Sequence, residues 1–541
     1  MNVKYMNMKK WLLKGLMPVL FLYGCFEDDS NLDIRTLNPI TIENLGESTR
    51  YSLFTGDTLK IEPLVYCQGI PDADLSFEWK LFGTGIVSTV LDSTMYLCAP
   101  VAAPPSAREY TLRFTVTDNT TGISRIETFS LSVLNPYGEG LLVADTKDDG
   151  IHTDLTLLMS KEFSDDIAKD NNKINIRRDI WSMNNGAPIS GRVLAANVTT
   201  VYDNPSLTLL TEEKILRADP TDFTNIPGEC DELLWSVVPE HIGHGYSSGS
   251  LCVYNGMKSE VMAANGYITV RQTQNKGRRY AYTLFPPVIY EPTVISDYNV
   301  SLMWSDLGDD RSAVYLYDAL NHKMLFYNGS QLVHPEKEVN SRAPFDLWDL
   351  SAYEPFFIGR IANNEVAVLA KEKSTGAYKA LAMSFADRTK DIVAKTIYDF
   401  SNGTNLTDAH SFALNKDGQV IYYATETDVY AMPIATTKRA EVQWSVVPGS
   451  GDKITGIKMY EWGGGSRYHE NITEGGRSEK VSWPSRNRMM VVCTYNEMTK
   501  EGKVICVPIT NILDGKMEPN RAFHTTFRGL GKVTGVYKKV K

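Results

Sequence analysis

Several things are scarce in this chain, and each scarcity excludes something. Across 541 residues there is no run of five basic residues, and the balance of 65 acidic against 55 basic side chains gives a net charge of −10. A nucleic-acid binder normally shows a basic face or stripe, so no nucleic-acid partner is expected. Beyond the first 25 residues no stretch approaches 18 uninterrupted apolar positions, which argues against an internal membrane-spanning helix. Cysteine is sparse at seven residues, and none shows the CxxC spacing of a zinc site. What is plentiful is apolar: 43% hydrophobic and 10% aromatic residues exclude global disorder and supply several cores.

The N-terminus carries Lys4, Lys9 and Lys10 ahead of the apolar segment Trp11–Tyr23, interrupted by Lys14 and ending at Gly24-Cys25. This is the layout of a secretory signal over residues 1–24. Leu22-Tyr23-Gly24-Cys25 resembles the lipobox of bacterial lipoproteins. The resemblance implies cleavage before Cys25 and lipidation of that cysteine, with several acyl chains giving stable anchoring. The acidic stretch Glu27-Asp28-Asp29 follows within a tether, residues 25–37, and resembles the surface-export signal of Bacteroidetes lipoproteins. The expected location is the outer membrane, lipid-anchored and facing outward.

Six cysteines remain: Cys67, Cys98, Cys230, Cys252, Cys493 and Cys506. An even count in an exported chain permits disulfides. Cys493 and Cys506 lie near the ends of VVCTYNEMTKEGKVICV, which reads as a hairpin. A turn centred at Thr499-Lys500 puts the two opposite each other, a possible disulfide. The alternative is buried thiols acting as small hydrophobes.

Residues 38–136 read as a small all-β domain. Leu75, Phe77, Trp79 and Leu81 share one face at period two, as do Tyr110, Leu112, Phe114 and Val116. A turn follows at Asp118-Asn119-Thr120-Thr121-Gly122, and ISRIETFSLSVL closes the unit. Short alternating strands with turn signals predict a β-sandwich with Trp79 in its core. The segments Gly56–Pro63, Phe77–Leu81 and Tyr110–Ile123 resemble the PKD-like domain of Bacteroidetes surface lipoproteins. That resemblance implies a spacer or interaction module followed by a second β-rich part. Proteins of this kind accompany SusC/SusD-type outer-membrane importers, so the implied partners are such a complex and a glycan or peptide ligand.

After the Asn135-Pro136-Tyr137-Gly138 turn, residues 137–541 read as hairpins with polar tips returning roughly every 50 to 60 residues. About 400 residues at that period predict a β-propeller-like domain of six to eight blades, seven favoured. Two further sandwiches are the alternative.

Chemistry is hard to find. His241 and His244 stand at i and i+3 beside Gly243 and Gly245, not the i, i+4 face of a zinc helix. A loop explains them, and no metal is expected. The carboxylates of Asp145–Gly150 and Asp306–Asp310 do not follow the calcium-loop spacing and read as acidic turns. Gly245-Tyr246-Ser247-Ser248-Gly249 spells a nucleophile elbow without the strand before and helix after that lift its serine. No catalytic residue and no cofactor is therefore expected. The glycine-rich run Trp462–His469 is not followed by Lys-Ser/Thr and is no phosphate loop. It offers Trp462 and Tyr468 as candidate ligand-stacking residues. The expected function is non-enzymatic capture of a glycan or peptide. A surface hydrolase and a structural assembly subunit are the alternatives.

Overall fold

A computed structural model describes residues 39–45, 50–67, 74–83, 85–106, 108–164, 167, 174–201, 204–226, 245–254, 259–272, 281–282, 298–305, 313–327, 332–335, 342–384, 392–434, 439–461, 468–474, 477–483 and 488–539. The chain is all-β there, and it divides into two compact units. One comprises Met1–Arg50, Thr58–Pro100 and Tyr110–Ser130; the other comprises Tyr51–Asp57, Val101–Glu109 and Leu131–Lys541.

In the N-terminal part, β1 (Ile40–Glu43) pairs with β4 (Leu64–Cys67), and β3 (Thr58–Ile61) pairs with β7 (Leu97–Pro100). The larger sheet has the order β2 (Arg50–Phe54), β9 (Ser124–Leu134), β8 (Tyr110–Asp118), β5 (Leu75–Gly83), β6 (Ile86–Asp92). On β8 every second residue, Tyr110 to Asp118, is buried and those between are not. That is the half-solvated strand its period-two sequence predicts. Trp79 is fully buried, as expected, and stacks on Phe114 with ring centroids 4.0 Å apart. Asp118 shapes the following turn by accepting from Thr120 N–H and Thr121 Oγ1.

The second unit is a succession of antiparallel meanders. The first is β10 (Gly140–Thr146), β11 (Thr153–Met159) and β12 (Asn175–Arg177); the second is β13 (Val193–Val201), β14 (Asn204–Thr211) and β15 (Ile215–Ala218). Third come β16 (Gly249–Tyr254), β17 (Ser259–Ala264), β18 (Tyr267–Gln272) and β19 (Ala281–Tyr282). Fourth are β20 (Val300–Trp304), β21 (Val314–Asp318), β22 (Lys323–Tyr327) and β23 (Leu332–Val333). Fifth are β24 (Tyr353–Ala362), β25 (Glu365–Glu372), β26 (Tyr378–Ser384) and β27 (Ala394–Asp399). Sixth are β28 (Ser411–Asn415), β29 (Val420–Ala424), β30 (Asp428–Pro433) and β31 (Glu441–Ser445). The last sheet begins with β32 (Asp452–Met459). A separate hairpin of β33 (Tyr468–Glu474) and β34 (Arg477–Trp483) precedes its remaining strands: β35 (Met489–Asn496), β36 (Glu501–Asn511), β37 (Lys516–Met517) and β38 (Thr525–Leu530). The C-terminal β39 (Lys532–Lys539) returns to the first sheet and pairs with β10.

One strand of each sheet lies against one of the next: β39 by β13, β13 by β16, β16 by β20, β20 by β24, β24 by β28, and β28 by β32. Apolar clusters fill the spaces between consecutive sheets. One such cluster joins Tyr315 and Phe326 of the fourth sheet to Val368 and Leu381 of the fifth. Another joins Leu141 and Val143 of the first sheet to Val491 and Val504 of the last. Layering on both faces explains why β10, β11, β21 and β29 are buried along their whole length. Such strands lose the apolar–polar alternation of a half-solvated strand, and the polar residues among them, such as Asp154, are buried too. One tight turn shows how closely the layers meet: a Cβ on Gly418 would stand 1.9 Å from the Ile512 carbonyl oxygen, so only glycine fits.

The short helix α1 (Ile180–Asn185) has a remote cap. Asp154 on β11 accepts from the N–H groups of Trp181 and Ser182, at 3.0 and 3.3 Å.

The hairpin of β35 and β36 corrects one expectation. Cys493 stands opposite Val504 and Cys506 opposite Val491, so the two cysteines sit diagonally, and both are free and buried. Diagonal neighbours in a sheet are about 7–8 Å apart, too far for a disulfide without backbone movement. The cause is the turn: Asn496 Oδ1 accepts from the N–H groups of Met498 and Thr499, which centres the bend one residue earlier than expected. Cys67, Cys98 and Cys252 are free as well.

Candidate ligand-binding surface

The opening strands of the fourth, fifth and sixth sheets carry large aromatic rings that are only partly buried: Trp304 on β20, Phe356 and Phe357 on β24, and Phe412 on β28. Phe356 and Phe412 are 4.8 Å apart between centroids and tilted by 44°. Phe357 meets Phe412 at 6.4 Å, and Phe356 meets Tyr378 edge-on at 6.1 Å. Behind them, Tyr378 packs on the fully buried Phe400 at 5.8 Å. Lys371 Nζ lies 5.8 Å from the Tyr378 ring centroid, a cation over a π face.

The local backbone explains the grouping. Strict alternation would send Phe356 and Phe357 to opposite faces. The β24–β25 register shifts between Pro355 and Phe357, a bulge that turns both rings toward the same cluster. Chemically, partly exposed rings held by packing suit the stacking of a sugar ring or the seating of an apolar peptide side chain.

The residues singled out from sequence fall elsewhere. Cys25, Trp462, His241, His244 and Asp306–Asp310 lie outside the described residues. Tyr468 opens β33 opposite Trp483; its side chain is outside the description. Ser247 is exposed, and both its N–H and its Oγ donate to Asn265 Oδ1, at 2.9 and 3.3 Å. The strand β16, not a helix, follows it. The Phe356 group was missed because Phe-Phe in a strand reads as core. The available signal was Pro355 just ahead of the doublet, since proline in a strand marks a bulge or an edge.

The carboxylates near residue 150 have internal employment. Asp145 and Asp154 face each other across β10 and β11. Burial pushes the Asp145 carboxyl up to about 6, against hydrogen bonds from Gly531 N–H and Thr156 Oγ1. Lys147 Nζ reaches Asp179 and lies 3.6 Å from Asp154 Oδ2. Asp149 is held down to about 2 by hydrogen bonds from His152 and Ile151.

Between the second and third sheets sits a closed ionic knot. Arg271 and Glu260 are both fully buried, with Arg271 Nη2 2.8 Å and Nε 3.1 Å from Glu260 Oε2. Asn197 Nδ2 and Thr208 Oγ1 also donate to Glu260, at 2.7 and 3.0 Å, and Arg271 Nη2 donates to Ser206 at 2.8 Å. Glu260 and Arg271 are both spent on buried neighbours, which makes this a structural network. Among the described residues no group of three or more His, Cys, Asp or Glu is placed to hold a metal ion, and no helix is long and apolar enough to cross a membrane.

Comparison with known proteins gives one family finding. Residues 25–192 match the model of the PKD-like family, so the chain carries a PKD-like family domain in its N-terminal part. No curated protein matches the chain. Among solved structures, one described as a crystal structure of the eukaryotic initiation factor is similar over 74% of this chain and 98% of its own, at 9% identity and a TM-score of 0.25. A likeness of that strength carries no argument about this chain.

Proposed function

We propose that this chain is a lipid-anchored outer-surface binding protein. In this reading Cys25 holds the lipid, residues 25–37 form a tether, and a PKD-like sandwich carries a seven-bladed β-propeller that captures a glycan or peptide. The chain works without turnover, beside an importer of the SusC/SusD type.

Support for the propeller comes from connectivity. Consecutive meanders begin roughly every 50 residues, a spacing suited to one blade each. The return of β39 to pair with β10 is the kind of overlap that would join the two ends of a ring. Support for location is the Leu22–Cys25 sequence and the acidic residues after it.

The observation that carries the binding role is the ring cluster of Phe356, Phe357, Phe412 and Tyr378, whose members stay partly exposed although the fold has ample apolar interior. The test exposes the purified protein to glycan and peptide libraries while product release is followed. Binding without turnover fits the proposal; turnover, or no binding to either library, overturns it.

A further inference from the structure

His334 follows β23 and is 3% exposed, and among the described residues neither ring nitrogen has a hydrogen-bond partner. A buried imidazole in that state is confined to its neutral form, because a charge there would find no acceptor. Its ring stacks on Trp348, with centroids 4.4 Å apart and planes at 25°.

Trp348 belongs to a strap, residues 342–350, laid against the opening of β22. Three hydrogen bonds fasten it: Met324 N–H to the Leu347 carbonyl at 2.9 Å, Leu350 N–H to the His322 carbonyl at 2.8 Å, and Trp348 Nε1–H to the Pro335 carbonyl at 3.0 Å. Phe345, Leu347 and Leu350 are its buried contacts, all in the cluster between the fourth and fifth sheets.

The charged neighbours are unfavourable to an imidazolium. Lys323 of β22 lies 5.1 Å from the Trp348 ring centroid and repels a second cation. Asp318 of β21 attracts one, but its oxygens already accept from the N–H groups of Asn299, Leu320 and Asn321 and from Asn321 Nδ2. On the strap itself, Asp346 accepts from Trp348 N–H and Asp349 from Ser351 N–H. Arg342 is exposed, and His322 is engaged with the Tyr317 hydroxyl at 3.2 Å.

We propose that residues 342–350 are an acid-sensitive latch. Protonation of His334 drives its ring toward water, unseats Trp348 and lifts the strap from its apolar bed. The direction follows from linkage. Burial, and then Lys323, hold the His334 pKa down to about 4, below the ordinary value of 6.5. A base whose folded pKa is depressed weakens its structure as pH falls through the interval between the two values. The strap is therefore at full strength above pH 6.5 and loses hold toward pH 4. Across that interval the opening equilibrium changes on the order of a hundredfold.

The test is hydrogen exchange read by mass spectrometry on peptides covering 342–353, between pH 7.5 and 4.5, corrected for intrinsic exchange rates. The expected result is a loss of protection on the order of a hundredfold, confined to the strap and its seat. H334F should abolish the pH dependence and keep the strap closed. H322N should leave the dependence intact, asparagine being tolerated at the positive φ of 51°. A flat wild-type profile, or an unchanged slope in H334F, overturns the proposal. Should H334F not fold, K323M gives an independent reading: loss of the repelling charge must move the midpoint to higher pH, and an unmoved midpoint is equally fatal.

Discussion

Replacing Arg271 with methionine tests whether the ionic knot between the second and third sheets is closed as described. The substitution keeps the aliphatic stem and removes the guanidinium. Glu260 then keeps its bonds from Asn197 and Thr208 but loses the cation at 2.8 and 3.1 Å, while remaining fully buried. Removing one member of a buried pair typically costs about 3–5 kcal/mol, because the surviving charge is left without compensation. Ser206 loses one donor as well, a smaller cost of roughly 1 kcal/mol. The expected total is about 4–6 kcal/mol, read by urea denaturation of the full chain. Two internal checks follow. The deficit should shrink as pH falls, since the uncompensated carboxylate can then take up a proton. The double variant E260L/R271M should recover only part of the loss: it removes the uncompensated charge, but it strands the Asn197 and Thr208 donors that Glu260 accepts. A cost under about 1 kcal/mol for R271M would refute the reasoning, since the pair would then have to be open to water.

Three further outcomes are expected. Burial raises the Asp145 pKa from 3.8 to about 6, so its protonated form is favoured in the fold. Stability should fall by about 3 kcal/mol as pH rises from below 3.8 through 6, and D145N should flatten that part of the stability–pH profile. Trp79→Ala should cost about 3–5 kcal/mol, seen as early loss of the N-terminal unit in limited proteolysis, because the ring is fully buried on Phe114. Cys493 and Cys506 should resist alkylation in the native protein, since burial raises both thiols above their ordinary pKa; a linked peptide between them in a non-reducing digest would contradict the register.

Legibility from sequence varied with solvent. β8 was readable because one face is wet and the other dry, which writes burial into every second letter. Strands such as β29 (VIYYA) are dry on both faces, so sequence could locate them but could not say what each face touches. A turn and a bulge account for two departures. An Asx turn at Asn496 slid the last hairpin and separated Cys493 from Cys506. The bulge beside Pro355 gathered Phe356 and Phe357 on one cluster, against simple alternation. Helix α1 is capped by Asp154, a partner far upstream, so local pattern could not announce it. Proteins place their departures from period-two patterning where tertiary structure overrides local preference, and the candidate surface is built on such a departure.

The most direct test of the binding role is a quantitative comparison of the native chain with F356A/F412A, using the best glycan or peptide from the library. The double substitution should weaken binding at least tenfold while the full chain keeps its β-sheet circular dichroism spectrum and a cooperative unfolding transition of the second unit, which carries both rings. Equal affinity in the two proteins would contradict it.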